Sequence, residues 1–114
     1  MSDCIFCKIV EGTIPAKKVH ESDDLIAFED VNPVAPVHIL IVPKKHIETI
    51  NEVSDSDVEL VGRLTLCAKK IASEKKLADD GYRTVMNCME GAGQSVFHIH
   101  MHLIGGRTLL WPPG

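Results

Sequence analysis

Hydrophobic and polar positions divide the chain into a short, ordered set of elements. Cys4–Val10 is a brief apolar stretch closed by Gly12, and Pro15 begins a turn. Val19–His20 and Leu25–Asp30 read as strands. Asn32–Pro36 is a loop, because two prolines forbid a regular ladder there. His38–Val42 is rich in β-branched residues and reads as a central strand. The clearest helix is about Asp57–Lys75, with Ser54 and Ser56 as candidate N-caps and Asp57 and Glu59 three residues on. Val61, Leu64, Ala68, Ile71 and Ala72 follow helical spacing and predict one buried stripe. Gly81 introduces a strand at Tyr82–Cys88, Glu90–Gln94 is a tight loop, and Phe97–Ile104 is the last strand. The tail Trp111-Pro112-Pro113-Gly114 cannot be helical. A hairpin, a long helix and a second hairpin predict an α+β fold: an antiparallel sheet with helices on one side.

Composition narrows the setting. With 114 residues, and no repeat or linker, the chain is expected to form a single domain over 1–114. The formal net charge is −4 and no Lys/Arg run exceeds two residues. A protein that grips a nucleic-acid backbone needs a basic surface, so no nucleic-acid partner is expected and any nucleotide is held as a small molecule. No apolar run approaches the roughly 18–20 residues of a membrane span, and no membrane partner is expected. Met1–Cys4 shows no basic region leading into a long apolar stretch, so no secretion leader is expected and the default compartment is cytoplasmic. The four cysteines, Cys4, Cys7, Cys67 and Cys88, are then expected as free thiols or metal ligands.

Three of the six histidines, His98, His100 and His102, alternate with Phe97, Ile99, Met101 and Leu103. In a strand the three imidazoles point one way and the apolar residues the other. Such a row is a plain polar face, a metal site or a catalytic row. Lys, Thr or Ser would serve equally well on a plain face. At a rise of ~3.3 Å per residue, His98 and His102 stand ~13 Å apart, too far for one Zn²⁺ to hold all three. Two neighbours remain within reach of one ion. Catalysis is the preferred reading: imidazole is a nucleophile and exchanges protons near neutral pH. Gly91-Ala92-Gly93-Gln94-Ser95 runs directly into this row, and glycines there allow successive N–H groups to form an anion nest. A plain hairpin turn is the competing reading of the loop. Ser95 offers a hydroxyl donor and Asn87 an amide donor close by; the competing role of Asn87 is to satisfy the turn.

The run Gly93-Gln94-Ser95-Val96-Phe97-His98-Ile99-His100-Met101-His102-Leu103 resembles the signature of the histidine triad family. Ile14-Pro15-Ala16, Leu25–Asp30, Pro36–His46, Gly81-Tyr82-Arg83, Gly105-Gly106-Arg107 and the Trp-Pro-Pro-Gly ending resemble its nucleotide-binding branch. The resemblance implies an antiparallel sheet of about five strands with one long and one short helix, paired into a homodimer with a continuous sheet. It also implies hydrolysis of purine nucleoside 5′-phosphoramidates to nucleoside monophosphate and amine, with no cofactor required for catalysis. Carried over by position, His100 is the nucleophile that forms a nucleotidyl-histidine, and His38 and His102 complete its proton network. Asn87, Gly93 and Ser95 bind the phosphate, and Asp30 holds the ribose hydroxyls. Phe6, Ile9, Phe28, Val31 and Leu40 form the base pocket, although Phe6, Phe28 and Leu40 also suit ordinary core. The departing amine needs a proton, which a neighbouring imidazolium would supply at pH 7. Alternatives are a nucleotide sensor or scaffold with incidental turnover, and a dinucleoside polyphosphate hydrolase.

Cys4-x-x-Cys7 has the spacing of half a zinc site. By resemblance, His46 and His98 complete a structural Cys₂His₂ site; the competing reading is two thiols on a short helix. The resemblance also places Trp111 across the dimer, beside the leaving-group side of the partner's site.

Overall fold

A computed structural model of the chain describes residues 3–114. Met1 and Ser2, on which the leader reading partly rests, lie outside the described residues. The elements are α1 (Ile5–Glu11), β1 (Lys18–Glu21), β2 (Leu25–Glu29), β3 (Val37–Pro43), α2 (Val58–Glu74), β4 (Tyr82–Val85) and β5 (Met101–Gly105). The strands form one sheet in the order β1-β2-β3-β5-β4, every neighbouring pair antiparallel. The α+β class, the five strands and the two helices are as expected.

The helices, however, do not share one side. Leu25, Ala27, Ile39, Ile41, Met101 and Leu103 pack with Leu64, Cys67, Ala68 and Ile71 of α2. Ile26, Phe28, Leu40 and Val42 pack with Phe6 and Ile9 of α1. Because strand side chains alternate, these two sets belong to opposite faces. β3 is therefore covered on both sides, which explains its unbroken apolar run Ile39–Val42. Each fully buried Leu or Ile contributes about 1.5–3 kcal/mol relative to exposure.

The local sequence explains the helix ends. Cys4 caps α1, its Sγ accepting the Cys7 N–H at 3.3 Å, and Gly12 ends the helix at φ 85°. A single 3₁₀ turn, Asp55–Asp57, leads into α2. The Ser54 N–H donates to the Asp57 carboxylate at 3.0 Å, and Lys45 pairs with the same carboxylate at 2.7 Å. Cys67 joins the expected stripe of α2, and Val61 sits at its half-exposed margin.

Two expected strands are shorter than the pattern implied. The strand read as Tyr82–Cys88 stops at Val85, and the one read as Phe97–Ile104 begins at Met101. Residues 96–100 find other partners instead of a ladder. The Ile99 N–H donates to the Ile47 carbonyl at 2.8 Å, and His98 bonds the Pro43 carbonyl. Of the three alternating histidines, only His102 lies within a strand.

Candidate active site

β3 and the segment entering β5 build the site on the α1 face. His102 pairs in register with Leu40, and His38 with Ile104, so His38 and His102 are diagonal neighbours on one face. Their rings stand 5.2 Å apart, with His38 Nε2 2.9 Å from His102 Nδ1. The Val34 N–H donates to His38 Nδ1 at 3.1 Å. Neutral His38 therefore carries its proton on Nε2 and donates it to His102 Nδ1, which puts the His102 proton on Nε2. The Asp30 carboxylate lies 3.4 Å from His38 Nε2, and its other oxygen accepts the Asn32 N–H at 2.8 Å.

His100 follows the opposite pattern. Its Nδ1 lies 2.8 Å from the His98 carbonyl oxygen, so Nδ1 is the donor and the Nε2 lone pair of the neutral ring is free. The ring packs edge-on to Phe6 at 5.0 Å and lies 5.0 Å from the His102 ring. Burial disfavours the imidazolium and holds His100 below the usual histidine range. His102 is pushed down to about 4 by burial and by its His100 and His38 neighbours. Both rings are neutral at pH 7. Burial and the neighbouring imidazoles thus disfavour an imidazolium at His102 in the free site.

A cavity of about 600 Å³ opens on these rings. His100, His102 and Ser95 line it, Phe6, Ile9, Phe28 and Leu40 form apolar walls, and Asp30 and Val31, just past the end of β2, complete it. Ile14 and Ala16 extend the wall, a role their sequence gave no sign of. Phe6, Phe28 and Leu40 also belong to the buried cluster on this face, so they are core and cavity wall at once. His38 does not line this cavity and stands behind His102. Gly93 adopts φ +98°, and a Cβ there would lie 3.8 Å from Asn87 Nδ2, so these two residues are brought together. Neither lines the cavity, and Trp111, 82% exposed, lies outside it as well.

Cys4, Cys7, His46 and His98 converge in a second cluster, with all four ligand atoms within 4.8 Å of one another. Cys4 Sγ lies 3.3 Å from His98 Nδ1, Cys7 Sγ 3.3 Å from His46 Nδ1, and the two Nδ1 atoms are 3.1 Å apart. A tetrahedral Zn²⁺ with Zn–N bonds of about 2.0 Å and Zn–S bonds of about 2.3 Å spaces its ligands about 3.3–3.7 Å apart, close to this arrangement. His98 Nε2 lies 2.7 Å from the Pro43 carbonyl, which fixes the proton there and leaves Nδ1 free to ligate. Burial and the adjacent Cys4 push the Cys7 thiol up to about 11. The donor set fits zinc. Asp30, His38 and His102 also converge within 4.8 Å, but the Val34 N–H occupies His38 Nδ1 and forces the proton onto the nitrogen a metal would need.

A HIT domain family model matches residues 11–109, most of the chain. The chain belongs to the HIT domain family. It is 47% identical over 107 residues to the purine nucleoside phosphoramidase of Escherichia coli, covering 94% of this chain and 90% of that one. Its fold matches a HIT family hydrolase from Legionella pneumophila with a TM-score of 0.97 and 53% identity, covering 98% of this chain and 100% of that one. A histidine triad nucleotide-binding protein from Candida albicans matches with a TM-score of 0.83 and 32% identity, over 96% and 83% of the two chains.

Within this HIT domain the histidine row splits. His100 and His102 face the cavity, and His98 turns to the thiols. Sequence reasoning missed the groups that enforce the split, namely the carbonyls of Pro43 and His98 and the N–H of Val34. It also missed Gln94. Its buried side chain accepts the Met89 N–H at 2.8 Å and donates to the carbonyls of Glu48 at 2.8 Å and Val96 at 3.1 Å. Its burial and its bond to Glu48, 46 residues away, leave no signal in the sequence of the loop.

Proposed function

We propose that this chain hydrolyses purine nucleoside 5′-phosphoramidates to the nucleoside monophosphate and an amine. The observation that carries this reading is the tautomer of His100: its Nδ1 proton is tied to the His98 carbonyl, and its Nε2 lone pair is left to an apolar cavity. His100 Nε2 attacks the α-phosphorus, the P–N bond breaks, and water then releases the monophosphate from the nucleotidyl-histidine. Neutral His102 presents Nε2–H to a phosphoryl oxygen, with His38 and Asp30 behind it. A bound phosphoryl anion favours the imidazolium, so the proton for the departing amine arrives with the substrate. Asn87, Gly93 and Ser95 hold the phosphate, Asp30 the ribose hydroxyls, and Phe6, Ile9, Phe28, Val31 and Leu40 the base. The name of the Escherichia coli relative supports the P–N bond as the target.

Zinc, held by Cys4, Cys7, His46 and His98, would fasten α1 to the sheet and plays a structural part. The chain works as a cytoplasmic homodimer, since the sheet ends in the open edges β1 and β4 and pairing one away is favourable. Assays with an AMP-tryptamine phosphoramidate and a diadenosine polyphosphate test the reading. Turnover of the first and not the second is expected. Preference for the polyphosphate overturns the P–N assignment, and tight AMP binding without turnover of either indicates a sensor.

A further inference from the structure

We propose that Cys4 and Cys7 form a peroxide-oxidisable pair, with Cys4 attacking and Cys7 resolving, whose disulfide loosens α1 and with it the wall of the main cavity. Three observations carry this. The two thiols sit in one cluster, three residues apart at the start of α1, a separation that a helical turn brings within disulfide reach. They differ in access: a second cavity of about 370 Å³ is lined by Cys4, together with Asp3, His46 and Ser95, and not by Cys7. Both thiols are half-buried, and an oxidant that enters this cavity meets Cys4 there. Cys67, by contrast, is enclosed in the α2-side core.

The third observation is what the thiols hold. Cys4 and Cys7 lie 3.3 and 3.6 Å from His98 Nδ1, and Phe6 between them packs its ring on both His98 and His100 at 5.9 and 5.0 Å. Ile9, one turn on, lines the main cavity. A Cys4–Cys7 bond turns both sulfurs towards each other and away from His46 and His98. Any ion in the cluster loses two of its four ligands, and α1 is left to its apolar contacts alone.

The chemistry balances with hydrogen peroxide as the oxidant. The Cys4 sulfur attacks one peroxide oxygen and the O–O bond breaks. This gives a sulfenic acid and one water. The Cys7 sulfur then attacks the Cys4 sulfur and expels the hydroxyl as a second water. Two thiols lose two electrons and two protons in all, and thiol exchange reverses the bond.

The test uses the full chain as purified, treated with hydrogen peroxide in the presence or absence of dimedone, and read by peptide mass mapping. The intact protein should lose two hydrogens within the Cys4–Cys7 peptide. Dimedone present during the reaction should mark Cys4, and Cys7→Ser should accumulate that adduct. Cys4→Ser should leave Cys7 unmarked. A first adduct on Cys7 or Cys88 overturns the assigned order, and absence of the disulfide overturns the pair. Because either serine variant also loses a contact to His98, trapping in the unsubstituted protein reads the same order without them. Amide exchange across Ile5–Glu11 should rise several-fold on oxidation and return with dithiothreitol; unchanged exchange in fully disulfide-bonded protein refutes the loosening. That the loosened wall belongs to a nucleotide site rests on the proposed function. If reduced protein fails to bind AMP, that reading fails, while the mass and exchange results still decide this one.

Discussion

His98 and His100 are separated by one residue, are both buried, and both touch the ring of Phe6, yet their free nitrogens differ. His98 gives its Nε2 proton to the Pro43 carbonyl and turns Nδ1 to two thiols. His100 gives its Nδ1 proton to the His98 carbonyl and leaves Nε2 to the cavity. Two backbone carbonyls therefore divide identical side chains between a metal-type cluster and the main cavity. What a histidine can do here is set less by its sequence neighbours than by which of its nitrogens is already occupied.

The comparison breaks most visibly at His100. His100→Ala should lower kcat by several orders of magnitude while AMP binding and thermal stability survive, because in the proposed function the ring supplies the bond-forming lone pair and it forms only part of the cavity wall. Near-normal single-turnover rates in this variant would remove His100 from the nucleophile's place. The other half of the comparison predicts the reverse ordering. Cys4→Ser should lower the melting temperature more than it lowers kcat/KM, and a chelator should reproduce that shift, because ligand loss forfeits folding energy. Metal content far below one zinc per chain after zinc is supplied would refute the cluster's assignment.

A smaller effect appears in the pH dependence of stability, to which buried His98 contributes in the same direction as the cavity histidines. The folded state holds His100 and His102 neutral, with His102 down to about 4, while an unfolded histidine titrates near 6.5. Between these values the unfolded chain binds more protons than the folded one, so stability is full above about 6.5 and declines as pH falls towards about 4. His102→Asn should flatten that decline in urea melts monitored from pH 7 to 4. An unchanged slope would mean that His102 is not held neutral by the fold. The acid limb of kcat/KM, which reports the free enzyme, should likewise fall well below 6.5.

The fold was legible because the apolar periods are strong: the α2 stripe, β2 and β3 lie within a residue or two of where their patterns put them. The N-terminal apolar stretch was legible as an element but not as the cover of the second sheet face, since a seven-residue helix carries too little pattern to show its direction. The histidine row gave the chemistry and misplaced its backbone. Alternation over Phe97–Leu103 suits a strand, but the ladder starts only at Met101, because loop carbonyls from Pro43 and Ile47 take the preceding donors. Backbone partners from distant loops leave no trace in side-chain spacing. The neutral state of His102 was out of reach for the same reason, since it depends on burial and on His38 arriving from another strand.

The smallest expected effect concerns a segment that belongs to neither cluster. Trp111 is the single tryptophan, yet it is 82% exposed, beside Leu110 at 74%. Arg83 fixes the start of this tail by donating to the Leu110 carbonyl at 2.8 Å. An apolar ring held outward from an anchored base suits a surface on another chain better than water, and tryptophan is a favoured anchor at such surfaces. Pro112 and Pro113 stiffen the segment and reduce the entropy lost on docking. If the tail reaches the partner's leaving-group side, deleting residues 111–114 should leave dimer mass, melting temperature and the His100 step nearly unchanged. It should alter the relative kcat/KM among phosphoramidates that differ only in their amine. A truncated protein that ranks those amines as the full-length chain does would take the tail out of the site and leave substrate choice to the cavity around His100 alone.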